Sequence, residues 1–290
     1  MKLVRKWMMA ALALTAVAVS PAHAADKIRF AVTDIDGLEA LQKEMGPFKD
    51  AFEKASGLAV EFFPVSGRTV AVEAMAAEQI DFVLTGPAEY VVFNARLKAQ
   101  PVVTWTRPDY YSNVVVLDGS PAKALGDLKG SKISFGEIGS TSQHLGPATL
   151  LSGGGLKYGT DYEPVFLKLN VAVEAMIKGE IGAIGMNRTH LEKITKKFPD
   201  QKFRVVEKGP ELTHDLLLAS EKVPAETVAL VRKTFADKGA ELLAAVTSSE
   251  ENAKYIGGKF IPDVTDKDYD VVRQMYTNVG VTEFTQFMGQ

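Results

Sequence analysis

The stretch that decides the fold is residues 70–97, VAVEAMAAEQIDFVLTGPAEYVVFNARL, where a helical pattern, a buried strand and a second helical pattern follow one another. The segment IDFVLTG is a short apolar run of strand length, and Pro87 stands where the next helix would begin. Upstream, strands are predicted at residues 27–32 and 58–65, with a helix over residues 38–56 between them. This alternation predicts an α/β fold whose parallel sheet carries helices on both faces.

The same alternation starts afresh after residue 125, which indicates a second α/β unit. We predict one domain from residues 25–110 and 214–290, with a second domain, residues 111–213, inserted into it. Two crossing segments, near residues 110–116 and 214–220, would form a two-segment hinge. Such a pair of domains suits closure around a ligand in the cleft.

The N-terminus has the three-part pattern of a secretory signal peptide, predicted over residues 1–24 with cleavage after Ala24. A basic start, MKLVRKW, precedes the apolar core MMAALALTAVAVS and the small residues Ala22 and Ala24. A retained membrane anchor is the alternative, but the apolar run is short for a membrane span. The chain has no cysteine, which excludes disulfides and a lipid-modified cysteine at the cleavage point. We therefore expect a protein of the bacterial periplasm.

The charge balance and the motifs exclude several function classes. The chain has 33 basic and 36 acidic residues and no basic run, so no nucleic-acid partner is expected. After residue 24 the histidines are His144, His190 and His214, and none forms an H-E-x-x-H pair. No G-x-S-x-G elbow or phosphate-binding G-x-x-x-x-G-K-[ST] loop is present. A triad of Ser142, His144 and Asp215 can be written down, but its spacing gives it no support. We predict no enzyme activity, no metal and no cofactor.

In an open α/β sheet, ligands bind at the carboxyl ends of the strands, where loops lead into helices. Five loops fit this description: residues 33–37, 66–69, 84–90, 136–144 and 185–190.

The strongest candidate among them is the run Ser140-Thr141-Ser142, at the start of a predicted helix. A helix start has unpaired N–H groups and partial positive charge, and hydroxyls beside it can donate to an oxyanion. An ordinary N-cap is the alternative, because Ser and Thr are preferred caps. Pro147 lacks an N–H and belongs in a first turn, near a cap at His144. The hydroxyls therefore either precede the helix or lie in a tighter, irregular first turn.

Two further side chains could reach the same cleft. Arg68 lies on a strand-to-helix turn and could offer two parallel hydrogen bonds to an oxyanion, although it could equally be a surface arginine. Thr85 ends a predicted strand before Gly86 and Pro87, where its hydroxyl could contact a ligand or cap the helix.

Three segments together resemble the periplasmic binding proteins of phosphonate, phosphite and phosphate ABC transporters. They are STSQHLGPATLL, GEIGAIGMN and IDFVLTGPAEYVV, and the similarity runs over about residues 27–280 in the same order. The resemblance implies the type II periplasmic binding protein fold, with two hinged α/β domains. It also implies a small phosphorus oxyanion as ligand and a membrane permease as partner.

The resemblance implies roles for several residues. The phosphorus oxygens would lie on Ser140, Thr141 and Ser142. Arg68 stands where relatives often have a tyrosine and would add positive charge, whereas Asp215 resembles an acidic residue that accepts a hydrogen from a protonated ligand oxygen. The predicted contact residues are Ser140, Thr141, Ser142, Arg68, Thr85, His144, Asn187 and Asp215.

Two departures from the family pattern bear on the ligand. Leu169-Asn170 replace a step that often contains a histidine, and no carboxylate follows Met186, where Asn187 to His190 stand. The second departure favours a ligand without an amine, such as phosphite, methylphosphonate or phosphate. The alternatives are an exported hydrolase that uses the same cleft, or a binding protein of this fold for another anion such as a sulfonate.

Overall fold

The computed structural model describes residues 27–288, so the predicted signal peptide and its cleavage after Ala24 lie outside the described residues. The strands are β1 (Lys27–Val32), β2 (Ala59–Phe62), β3 (Phe82–Thr85), β4 (Gln100–Trp105), β5 (Tyr111–Leu117), β6 (Lys132–Phe135), β7 (Glu163–Phe166), β8 (Ala183–Asn187), β9 (Phe203–Glu211), β10 (Asp215–Ala219) and β11 (Phe260–Ile261). The α-helices are α1 (Leu38–Ser56), α2 (Arg68–Ala76), α3 (Pro87–Leu97), α4 (Gly146–Gly153), α5 (Leu169–Ile177), α6 (Arg188–Lys197), α7 (Ala225–Val246) and α8 (Asp270–Asn278). Within residues 27–288, no helix is both long enough and apolar enough to cross a bilayer.

The strands form two sheets, which define two lobes. The sheet of lobe 1 has the order β11-β4-β10-β3-β1-β2, and the sheet of lobe 2 has the order β7-β6-β8-β5-β9. Strand β10 runs antiparallel to β3 and β4, and β5 runs antiparallel to β8 and β9. Each sheet therefore contains the predicted parallel strands, but it also contains a strand that runs against them, which the chain enters after crossing from the other lobe instead of through a helix.

The chain crosses between the lobes twice. The first crossing, residues 106–110, joins β4 to β5, and the second, residues 212–214, joins β9 to β10. The segments expected to form the hinge, near residues 110–116 and 214–220, mostly lie in strands β5 and β10. The crossings are thus shorter than expected and lie just before these strands.

The stretch that predicted the fold forms the expected elements. Helix α2, strand β3 and helix α3 follow one another in residues 68–97, and Pro87 is the first residue of α3. Strand β3 is buried along its length between β1 and β10. A strand that is buried on both faces needs apolar residues on both, which explains the continuous apolar run.

Aromatic residues fill the core of lobe 1 between helices α1 and α7 and the sheet. The Phe48 ring lies 5.2 Å from Trp105 and 6.0 Å from Phe235, measured between ring centroids. Helix α8 packs on α3 of lobe 1 and α4 of lobe 2. Its Tyr276 hydroxyl donates to the carbonyl of Ala88, so the C-terminal part of the chain touches both lobes.

Candidate functional site

A polar cavity of about 440 Å³ lies between the two lobes, at the carboxyl ends of their strands. Each of the five predicted loops contributes to it. Six of the predicted contact residues line the cavity: Arg68, Ser140, Thr141, Ser142, Asn187 and Asp215. Thr85 and His144 do not line it.

The hydroxyl run lies at the start of a helix that opens with a wide turn. Residues 141–145 form a π-turn that continues directly into α4. The carbonyl of Ser140 accepts from the N–H groups of both His144 and Leu145, at 3.0 and 2.9 Å. The N–H groups of Thr141, Ser142 and Gln143 come before this first helical bond, so they belong to the open end of the helix.

The π-turn reconciles Pro147 with a helix that begins at the hydroxyl run. One extra residue in the first turn places Pro147 at the start of the regular helix, where its missing N–H costs little. The opening turn is therefore irregular, as expected, but it is wider instead of tighter. Gly146 is required at this point, because a Cβ there would lie 2.1 Å from the Ser112 hydroxyl.

Ser142 and Thr141 are held by hydrogen bonds to their surroundings. The Ser142 hydroxyl accepts from the side-chain amide of Asn187 at 3.0 Å, and the Ser142 carbonyl accepts from the Ser112 hydroxyl at 3.1 Å. The Thr141 hydroxyl accepts from the N–H of Ala88 at 3.1 Å, which joins lobe 2 to lobe 1. Both hydroxyls accept in these bonds and can still donate, and the Ser142 hydroxyl also interacts with the hydroxyl of Tyr110, another lining residue.

Arg68 forms ion pairs with carboxylates of both lobes. Its guanidinium lies 3.0 Å from Glu89 and 2.8 Å from Glu137. Glu89 is buried, and burial raises its pKa although Arg68 opposes the shift. Arg68 therefore does not add the net positive charge that its position in the sequence suggested, because two carboxylates already balance it.

Asp215 is buried among cations, with 3% of its surface exposed. It lies 3.3 Å from the Arg107 guanidinium and 3.6 Å from the Lys254 ammonium, and it accepts from the Tyr255 hydroxyl at 2.8 Å. Burial alone would raise the pKa of Asp215, but Arg107, Lys254 and Tyr255 outweigh it and hold the pKa below its ordinary value. The carboxylate is thus ionised and already bonded to three protein groups.

Thr85 lies one layer behind the cavity. Its hydroxyl is 2.9 Å from the hydroxyl of Thr33, and Thr33 lines the cavity. Thr85 can therefore orient Thr33, but the structure does not bring it to the cavity.

His144 packs into the core of lobe 2 beside the aromatic rings of Phe135 and Phe166. Its Nδ1 accepts from the N–H of Gly139 at 3.0 Å, so Nε2 carries the hydrogen and donates to the Tyr158 hydroxyl at 2.8 Å. Burial lowers the pKa of His144 to about 4. Both nitrogens are used inside the lobe, and this ring is not available to a ligand or to a Ser142–Asp215 triad.

The buried neutral His144 predicts a loss of stability in acid. Between pH 6.5 and about 4 the unfolded chain binds a proton on this ring that the folded chain excludes, so acidification favours unfolding. Over this pH range the free energy of unfolding should fall in the original protein. We expect this fall to be smaller by about 3 kcal/mol in His144→Gln, because the variant lacks the titrating ring. Urea titrations at a series of pH values measure this difference. At pH 7 the ring is neutral in both the folded and the unfolded chain, so the difference in free energy of unfolding between the two proteins at that pH reflects only the change in packing. Parallel pH curves would contradict the prediction.

The carboxylates that line the cavity outnumber the cations. Among the described lining residues the carboxylates are Asp34, Asp36, Glu89, Glu137 and Asp215, and the permanently charged cations are Arg68, Arg107 and Lys254. Each of the three cations lies within 4 Å of a carboxylate, as in the contact between Lys254 and Asp34 at 3.4 Å. An anion that enters the cavity therefore meets strong hydrogen-bond donors, in a lining that has more carboxylates than cations.

Sequence reasoning missed several lining residues. Thr33 and His190 belong to predicted loops, and the polar character of those loops could have identified them. Arg107 lies in the first crossing, and its guanidinium stacks 3.9 Å from the centre of the Tyr110 ring. The sequence around Arg107 and around Lys254 does not predict that they line the cavity, because only the fold brings them close to Asp215. Among the described residues, no cluster of three or more histidine, aspartate or glutamate side chains could hold a metal ion.

Two α/β lobes joined by two crossings, with a polar cavity between them, define the class of solute-binding proteins. The family model for the periplasmic substrate-binding protein of phosphonate ABC transporters matches residues 30–257. The chain therefore belongs to this family of transporter components, and its family implies export from the cytoplasm.

Solved structures share the fold at low sequence identity. A binding protein of a phosphonate ABC transporter from Pseudomonas aeruginosa is 18% identical with a TM-score of 0.63, over 87% of this chain and 85% of that one. PhnD1 from Prochlorococcus marinus, in complex with methylphosphonate, is 18% identical with a TM-score of 0.65, over 88% and 98%. The aliphatic sulphonate-binding protein of Escherichia coli is 18% identical with a TM-score of 0.58, over 90% of each chain. These likenesses support the type II periplasmic binding protein fold.

Proposed function

We propose that this protein captures a small phosphorus oxyanion in its interlobe cavity and delivers it to an ABC permease in the inner membrane. The observation that carries the proposal is the run Ser140-Thr141-Ser142 at the open end of a helix that lines the cavity. Three hydroxyls and the N–H groups of that helix end can surround an oxyanion, and the helix end favours negative charge. Arg107 and Asn187 line the same cavity and supply further donors.

The charge of the lining favours a ligand with a single negative charge. The acidic residues outnumber the cations, so a second charge on the ligand would be placed near unbalanced carboxylates. The acidic lining also suits a ligand that carries an amine. No carboxylate follows Met186, but Asp34, Asp36 and Glu137 reach the cavity from other loops.

The size of the cavity favours an organic group on phosphorus. A tetrahedral phosphorus oxyanion has four or five heavy atoms, whereas a cavity of about 440 Å³ has room for more than about ten water molecules. A phosphonate would use this space better than phosphite or phosphate.

Transport requires binding and release without covalent chemistry. We propose that the lobes are two domains, residues 25–110 with 214–290 and residues 111–213, and that they open and close through the two crossings. The interlobe contacts of Arg68 with Glu137 and of Ala88 with Thr141 support a closed form that a permease could recognise. The signal peptide would be cleaved after Ala24 to release the protein into the periplasm. A hydrolase is not favoured, because both ring nitrogens of His144 are already bonded to Gly139 and Tyr158.

Calorimetry with phosphite, phosphate, methylphosphonate, aminoethylphosphonate and methanesulfonate tests the proposal, and we expect methylphosphonate to bind more tightly than phosphate. Ser142→Ala should weaken the phosphonate by about 1.5–3 kcal/mol, because it removes one hydrogen bond to a charged ligand. Ser134→Ala, in β6 and away from the lining, is the matched control and should leave affinity unchanged. If every phosphorus compound bound only in the millimolar range, the proposal would be wrong.

A further inference from the structure

The orientation of the Asn187 side chain follows from its partners. The backbone N–H of His190 lies 3.0 Å from the Asn187 Oδ1 position. A backbone N–H can only donate, so the atom that it meets must be the oxygen. The amide nitrogen Nδ2 is then the atom that donates to the Ser142 hydroxyl at 3.0 Å.

The same oxygen fixes the hydrogen of the His190 ring. Nδ1 of His190 lies 2.8 Å from Asn187 Oδ1, and an oxygen that has no hydrogen can only accept. Nδ1 therefore carries the hydrogen, and in a neutral ring Nε2 is left with a lone pair. The hydrogen bonds that we find for this ring within residues 27–288 all involve Nδ1, while the residue lines the cavity.

The surroundings of His190 favour the neutral ring. Burial lowers its pKa to about 4, and the positive charges of Lys193 and Arg107 act in the same direction. At neutral pH, Nε2 is therefore an uncharged hydrogen-bond acceptor, on a residue that lines the same cavity as Ser142 and Arg107.

This acceptor distinguishes His190 from the rest of the anion-binding site. The hydroxyls, the helix N–H groups and Arg107 are hydrogen-bond donors, which suit bare ligand oxygens. A lone pair next to a bare, negatively charged oxygen is repulsive, whereas a protonated oxygen can donate to it. Asp215 is poorly suited to this task, because Arg107, Lys254 and Tyr255 already occupy its oxygens.

We propose that His190 is a specificity-determining residue, whose Nε2 accepts a hydrogen bond from the P–OH group of a singly ionised phosphonate. The residue would thereby separate a phosphonate from a sulfonate of the same shape and charge, because a sulfonate monoanion has no hydroxyl to donate. This inference rests on the proposed function and adds to it the protonation state in which the ligand is bound.

Methylphosphonate and methanesulfonate are a matched pair of probes for this proposal. At a mildly acidic pH where methylphosphonate carries one charge, the two anions differ chiefly in one hydroxyl. Calorimetry on the original protein should show a clear preference for methylphosphonate. His190→Ala should reduce this preference by about tenfold or more, because methylphosphonate loses a hydrogen bond and methanesulfonate loses a repulsion.

A purely structural role for His190 would weaken both anions to the same extent and would overturn the proposal. Unchanged binding of both anions would also overturn it. Failure of the original protein to bind methylphosphonate would instead contradict the proposed function, so the two failures can be told apart.

Nitrogen NMR of the histidine-labelled protein provides a second test, which is read on the original protein and uses a variant only for assignment. We expect an unprotonated Nε2 on His190 whose signal shifts when methylphosphonate is added and shifts little with methanesulfonate. The His190→Ala spectrum assigns the signal. A protonated Nε2 in the ligand-free protein would overturn the inference.

Discussion

Replacing Arg107 with alanine should lower the free energy of unfolding by about 3 kcal/mol, which is the lower end of the range for removing one partner of a buried ion pair. Asp215 would lose its first ion-pair partner while almost fully buried, with Lys254 at 3.6 Å and the Tyr255 hydroxyl as its remaining partners. These two partners keep the effect from reaching the top of the range. The stacking of Arg107 on Tyr110 would be lost as well. Urea denaturation followed by circular dichroism measures the change.

Arg188→Ala is the matched control for this prediction. The Arg188 side chain is 42% exposed and pairs with Glu192 at 3.0 Å, and exposed ion pairs of this kind contribute about 0–1 kcal/mol. If both variants lost the same stability, Arg107 would not be compensating a buried charge. Asp215 would then need another explanation for its burial.

Phe48→Ala should cost about 3–5 kcal/mol, the usual range for truncating a buried aromatic residue. Phe48 is 1% exposed and contacts the rings of Phe30, Trp105 and Phe235, so the void left by its ring has rigid walls. These walls belong to the sheet and to helix α7, which cannot easily move inwards. The free energy of unfolding in urea measures the loss, and ligand affinity of the folded variant should change little.

Ile256→Ala removes an apolar side chain that is 62% exposed, and we expect a loss of less than about 0.5 kcal/mol. A small effect of Phe48→Ala, comparable to that of this control, would mean that helix α1 collapses onto the sheet and fills the void.

The periodicity of the sequence predicts the elements of the fold well because these elements obey local rules. Strand β3 shows a continuous apolar run, since it is buried on both faces, and Pro87 begins α3, since its fixed φ suits a first turn. The directions of β5 and β10 could not be inferred in this way. Strand direction depends on the lobe from which the chain arrives. The residue types within a strand do not indicate this direction.

The candidate site likewise has features that the local sequence predicts and features that depend on distant residues. The hydroxyl run could be predicted, because three hydroxyls at a helix start have a local chemical meaning. The burial of His144 and the balance of Arg68 by Glu89 could not be predicted, because their partners lie far away in the sequence or behind the turn. The tautomer of His190 likewise depends on three atoms whose arrangement only the folded turn provides.

The position of β10 has a consequence for the order in which the chain can fold. Strand β10 lies between β3 and β4 in the sheet of lobe 1, yet it follows the whole of lobe 2 in the sequence. A chain that emerges from the ribosome N-terminus first cannot join β3 to β4 until residue 219 has emerged, because β10 ends there. Residues 111–211 supply every strand of the lobe 2 sheet, so that sheet can form earlier. Until then β3 and β4 have open edges towards each other, and open strand edges expose a nascent chain to aggregation.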